Sequence, residues 1–293
     1  MGSRSRLWLV LVGLLALASG CAPVNGSPEP SVAEFATNAS KVFVHQGGSG
    51  LLSFNLVLFS RQKISHVDVS GIDVADQDSS DFDVTVENND FGGIENRSYR
   101  GWHTKVVLVT ITAPTGITNY EVAAMRLVVD GTPRNVEFTT HLVLADSGGN
   151  IFADAFQGRV LPNGFGSEFI NAPDQTALYR FTATEDLVLT DVYLPEFITI
   201  GSMAASIDQS SLQEARLPLS LRAGQELYLE LSFSSHVADE QSYVATTLFF
   251  DFTLTGTEER KTNGVSIEFD PISPLSEGDY SKIDRLIDSF GLG

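Results

Sequence analysis

The chain has 293 residues, with 18 Lys+Arg against 37 Asp+Glu and a formal charge of −19. Such a balance argues against nucleic acid as a partner, because nucleic-acid binders present basic surface to phosphates, and against adhesion to anionic headgroups through charge alone. Hydrophobic residues make up 43% and include 19 Phe, enough for a real core, and the length points to two domains; the single cysteine, Cys21, rules out an internal disulfide, so packing alone must hold the fold.

Residues 1–20 divide into three parts. Arg4 and Arg6 make a basic start, Leu7 to Leu17 is apolar apart from Gly13, and Ala18, Ser19 and Gly20 are small. This is the layout of a secretory signal peptide, and its apolar core is roughly half the 20 or so residues that a spanning helix needs. Ala18-Ser19-Gly20-Cys21 resembles the lipobox of bacterial lipoproteins. The resemblance implies a diacylglycerol on the Cys21 sulfur, cleavage before Cys21, and an acylated (palmitate-type) first residue. The family usually has Leu three places before the cysteine; here Ala18 stands there, with Leu17 one step further back. The competing reading, an ordinary signal peptide, leaves Cys21 as a stray thiol in an oxidising compartment, which is a liability. Each buried CH₂ contributes about 0.8 kcal/mol, and stable anchoring takes two or more acyl chains. The expected location is the cell membrane or outer membrane, extracytoplasmic, with the lipid as the sole membrane contact. Ala22, which is not the aspartate associated with inner-membrane retention, favours the outer membrane where a cell has two. Residues 21–36, with Pro23, Pro28 and Pro30, read as an extended tether.

From about residue 40 to 255 the hydrophobic pattern has period two. Leu51–Phe59, Phe82–Glu87, Lys105–Ile111, Met125–Val129, Leu187–Tyr193 and Leu227–Phe233 are β-branched or aromatic runs separated by Gly, Asn, Asp and Pro. Strands this regular, with no helices between them, indicate an all-β chain of sandwiches. Residues 63–74 match 186–197 in type and order, 103–116 match 224–237, and 119–144 match 242–269. Two copies of one topology explain this, and we place a first β-sandwich domain at 37–146 and a second at 147–270. The stretch 217–233, a Gly-centred turn before a long alternating strand, is similar to immunoglobulin-like domains, an analogy of architecture that carries no function. Between the copies, 145–177 is rich in Gly, Asn and Pro but holds Phe152, Phe156, Phe165 and Phe169. These rings read as packing beneath the junction, or else as an aromatic surface between domains.

Residues 271–293 hold one short C-terminal helix, over 276–291. Ile283, Leu286, Ile287 and Phe290 fall on one face, Ser276 is placed to cap it and Gly291 to end it. At roughly four turns it is marginal alone. Its apolar face is expected to dock on the second sandwich, or on a partner.

Motifs that carry chemistry are few. There is no Gly-x-Ser-x-Gly elbow, His-Glu-x-x-His pair or P-loop. His45, His66, His103, His141 and His236 share no metal-ligand spacing, and His66 with Asp68 puts only two polar groups on one strand face. The acidic stretch 73–90 places Asp76, Asp78, Ser80 and Glu87 at calcium-loop spacing, but Asp81 stands where such a loop needs Gly, and Phe82–Val86 alternates like a strand. No metal, cofactor or catalytic residue is assigned; the one assigned site is lipidation at Cys21. The chain reads as a non-enzyme, a lipid-anchored envelope protein with a binding or scaffolding role, its partner an envelope protein or a glycan. Two alternatives stand beside it, a carbohydrate-binding module led by Trp102, Tyr99 and His103, and an extracytoplasmic hydrolase.

Overall fold

The computed structural model describes residues 34–47, 50–88, 98–145, 156–161, 175–194, 197–207, 211–239, 241–269 and 281–292. Cys21, Phe152, Phe165, Phe169 and Ser276 lie outside the described residues.

The alternating runs become strands. The first half supplies β1 (Phe35–Thr37), β2 (Val42–Gly47), β3 (Leu51–Ser60), β4 (Val67–Val74), β5 (Asp83–Glu87), β6 (Ser98–Tyr99), β7 (Trp102–Thr112), β8 (Tyr120–Val129) and β9 (Thr132–Ala145). One sheet runs β1-β3-β7-β5, with β6 hairpinned onto β7; the facing strands run β2-β9-β8-β4. This is the immunoglobulin-like arrangement of an ABED sheet against a GFC sheet, with β2 added parallel to β9. Period two sorts the side chains. Leu52, Phe54, Leu56 and Leu58 meet Val107, Val109 and Ile111 within one sheet and Val122, Leu127, Phe138 and Leu142 across the core, all buried. Full burial of such a side chain stabilises by about 1.5–3 kcal/mol. The β8–β9 connection is a two-residue turn, Asp130-Gly131, with φ of 47° and 81°, the left-handed pair that a tight hairpin demands. The Asp130 carboxylate also accepts from the backbone N–H of Ser65 and His66, which pins the entry of β4.

The second half supplies β10 (Phe156–Leu161), β11 (Thr176–Ala183), β12 (Leu187–Tyr193), β13 (Ile198–Ile207), β14 (Gln213–Glu214), β15 (Leu219–Leu221), β16 (Glu226–Ser235), β17 (Tyr243–Leu254) and β18 (Arg260–Phe269). Here β10-β11-β16-β13-β14 faces β15-β12-β17, and β18 pairs with β17. The segments matched in sequence take equivalent places: β4 and β12, β7 and β16, and the hairpins β8–β9 and β17–β18. The second core is aromatic, with Phe181 edge-on to Phe250 at 4.7 Å between ring centres and Tyr179 beside them.

The two sandwiches share hydrogen bonds as well as a chain. Strand β17 overruns its own partner β12, and its first residues pair in parallel with β2, Tyr243 with Val42 through Thr246 with His45. At this seam alternate residues face opposite cores. Val42 and Val44 enter the first and Phe43 the second, where it meets Phe197 at 5.6 Å; Tyr243 and Ala245 return the exchange into the first. Gly47 N–H donates to Thr247 Oγ1 at 3.1 Å, and Lys41 pairs with Asp239 at 2.7 Å.

Helix α1 (Ser281–Ser289) corrects the expected docking. Its apolar face packs on the outer face of β3 and β7 in the first sandwich. Ile283, Leu286, Ile287 and the following Leu292 cover Val57, Phe59, Trp102 and Val106. The reason lies in the strands: Leu56-Val57-Leu58-Phe59 is apolar on both faces, and a strand of that kind needs cover on both sides. Trp102 Nε1 donates to the Leu292 carbonyl at 2.8 Å, Tyr99 OH donates to Asp284 at 2.7 Å, and Arg100 pairs with Asp284 at 3.0 Å and with Asp288. Gly291, at φ 63°, ends the helix as its sequence position implies.

Candidate functional site

A concavity lies at the open side of the first sandwich. Strand β4 carries an isolated glycine, Gly71, and the β4–β8 register slips between Val69 and Gly71, a bulge that takes in Ser70. Beyond the slip, two cross-strand rows form on the outer face: Gly71–Arg126–Asn135 and Asp73–Ala124–Glu137. Gly71 and Ala124 put almost no side chain into these rows, so the sheet surface is hollow between Asp73, Arg126, Asn135 and Glu137. A Cβ added at Gly71 would meet nothing within 4 Å. The hollow continues round the edge of β4 to the start of β5. The short 3₁₀ turn Ser79–Asp81 brings Ser79 and Ser80 there, followed by Phe82, Asp83 and Val84. The resulting cleft has a volume of about 800 Å³. Val69, Ile72, Phe82 and Val84 give it an apolar floor, steadied by the edge-on contact of Phe82 with Tyr120 at 5.0 Å.

Its rim is charged and open. Asp73, Asp83 and Glu137 are exposed, as is Arg126, and among the described residues none of the four side chains makes a hydrogen bond or ion pair. The acidic stretch that forms one wall is held from within. Asp78 accepts the Ser80 backbone N–H at 3.0 Å, and that bond, with a further one from the Ser80 hydroxyl, keeps its carboxyl below the usual carboxylate range. Asp76 sits at φ 58°, a left-handed turn position. Among the described residues no three His, Cys, Asp or Glu side chains come together to hold a metal ion. None of the five histidines lines the cleft, so neither Ser79 nor Ser80 has an imidazole base beside it there. What this arrangement offers is ion pairing and hydrogen bonding above an apolar floor.

Other sequence candidates go elsewhere. Trp102 is only 1% exposed beneath α1, which removes the leading residue of the carbohydrate reading. Tyr99 and Arg100 tie down α1, and Arg100-Gly101 form the turn between β6 and β7. His66 gives its backbone N–H to Asp130, and among the described residues no metal-holding group of side chains gathers around it and Asp68. The cleft residues Gly71, Ala124, Arg126, Asn135 and Glu137 escaped notice in sequence. One signal was legible: an isolated glycine inside an alternating strand, which marks a bulge or a close approach.

No family model matches the chain, and no curated protein does. Solved structures show distant likeness. The Enterococcus faecalis MSCRAMM ACE, which binds its ligands by the collagen hug model, is 9% identical with a TM-score of 0.24, over 82% of this chain and 95% of that one. The E. coli adhesin CfaE is 8% identical with a TM-score of 0.25, over 86% and 90%. The C-terminal domain of Streptococcus agalactiae BspA is 7% identical with a TM-score of 0.19, over 77% and 96%. At scores this low the likeness bears on neither mechanism nor ligand.

Proposed function

We propose that this chain is a lipid-anchored cell-envelope protein with a non-catalytic binding role, tethered through Cys21 and presenting the cleft beside β4 to an extracytoplasmic partner. The observation that supports it is the cleft: about 800 Å³, with an apolar floor and a rim of charged groups that satisfy nothing within the described residues. Convergent polar groups over an apolar floor are the ordinary makeup of a binding site. A partner outside the cytoplasm follows from the signal-like residues 1–20, and the anchor follows from the lipobox resemblance at Cys21.

The anchor and the cleft are tested separately. Labelled fatty acid should enter the wild type and be absent from Cys21→Ser, while equal labelling of both removes the anchor. A photo-crosslinking residue at Asn135 should capture an envelope component, and the same residue at Glu185 on the second sandwich should not. Identical products from both positions would leave the cleft without a role.

A further inference from the structure

We infer that the ligand of this cleft is an extended basic segment of another protein, laid as an added strand along the edge of β4 that no described strand covers. The inference rests on the proposed binding role and names the partner class.

The main chain carries it first. Among the described residues β4 pairs with β8 on one side and with no strand on the other. At Val67 the free side is already occupied by a side chain that imitates a strand. The Asn88 carboxamide donates to the Val67 carbonyl at 2.8 Å and accepts from the Val67 N–H at 2.9 Å. That two-way exchange is what one residue of a neighbouring antiparallel strand supplies. Further along, Val69 N–H is held by the Asp68 carboxylate at 2.8 Å, and the cleft then opens over Ser70–Asp73. An extended segment would continue there the pairing that Asn88 begins, the mode by which peptides add to open sheet edges.

Shape and charge select the segment. Side chains of an added strand alternate, so one set would reach the half-buried Val69 and Val84 of the floor while the other met the rim. The rim holds the carboxylates of Asp73, Asp83 and Glu137 against the one guanidinium of Arg126, on a chain of net charge −19. Lys or Arg at the rim-facing positions complements that field, which steers association and rejects acidic partners. The same carboxylates repel a second copy of this acidic chain, as charge on an open edge generally does. Among the residues that line the cleft a glycan finds no exposed ring to stack on, since Phe82, their one aromatic, is buried.

The test uses the full-length protein in detergent, titrated with fluorescent eight-residue peptides that alternate Val with Lys or Val with Glu. The Lys peptide should bind, more weakly as salt rises, and the Glu peptide should not. The variant D73N/D83N/E137Q should weaken Lys-peptide binding about tenfold, whereas the charge-matched control E185Q/E258Q/E259Q on the second sandwich should leave it unchanged. Hydrogen exchange should show amides of Val69–Val74 gaining protection in the complex. Equal loss in both variants, equal binding of both peptides, or no added protection would overturn the inference. Crosslinking of an envelope component at the cleft, together with failure of the Lys peptide, would overturn the partner class and leave the binding role standing.

Discussion

Tyr179 carries a hydroxyl into the second core, where among the described residues nothing receives it, and the residue is wholly buried. A buried polar group without a partner costs about 1–3 kcal/mol, so Tyr179→Phe should leave the fold intact and raise the unfolding midpoint; a lowered midpoint would mean that the hydroxyl is satisfied. Burial pushes the Tyr179 phenol well above its ordinary value, and does the same at Tyr120. The sign for stability follows from which form is favoured. Both phenols stay protonated in the fold while the unfolded chain ionises near 10, so their contribution is complete below that pH and is lost as pH rises past it. Alkaline unfolding above about pH 10 should therefore be shallower in Tyr179→Phe than in the wild type. Asn38 is a mixed case: its Nδ2 is buried without a partner among the described residues, but its Oδ1 is used. Wholly buried where the chain leaves β1 for the other sheet, it accepts the Val57 N–H at 2.9 Å through Oδ1 and so replaces a strand that has ended. Asn38→Ala orphans that N–H and should destabilise by about 1–3 kcal/mol in a denaturant titration.

Among the elements, α1 is too short to stand alone and depends on the patch that it covers. The dependence is mutual, because Val57, Phe59, Trp102 and Val106 would otherwise form an apolar strip on the outside of a sheet. Ile287, fully buried, is the test residue: Ile287→Ala should cost about 2–5 kcal/mol and shift Trp102 fluorescence to the red as water reaches the indole. An unchanged spectrum with full helical content would show that the dock does not rely on this contact. The open edge at β4 belongs to the same scale. A one-residue bulge and a glycine turn an ordinary edge strand into one wall of a cleft.

For the whole molecule the seam between β2 and β17 matters most. Phe43 belongs by sequence to the first half and by packing to the second core. Phe43→Ala should destabilise by about 3–5 kcal/mol and lower the midpoint reported by Trp102, which lies in the first sandwich. A Trp102 transition that ignored Phe43 would show that the two sandwiches unfold independently. Acid acts at the same seam. Burial raises the Asp239 carboxyl, but the Lys41 ammonium, the Gln241 backbone N–H and the Ser242 hydroxyl outweigh it and hold the group below the ordinary 3.8. Its contribution is therefore present above that pH and lost as pH falls below it. Lys41→Met should flatten the acid limb of the stability profile relative to the wild type.

How much was legible beforehand depended on the range of the interactions. Alternation in runs such as Leu227–Phe233 is local, because successive side chains of a strand point to opposite faces, and it was enough for an all-β chain of two sandwiches with one short terminal helix. The duplicated order of segments was local too, and carried the equivalence of β7 with β16. Which surface receives α1, which core takes Phe43, and where Gly71 and Ala124 line up into a hollow are settled by pairings across tens to hundreds of residues. No window of sequence contains them. Arg126 and Glu137 look like ordinary solvent-facing charges until strand register sets them beside Asp73, and only the tertiary structure brings that rim together, because register is decided jointly by a strand's own pattern and by what its distant neighbours let it bury.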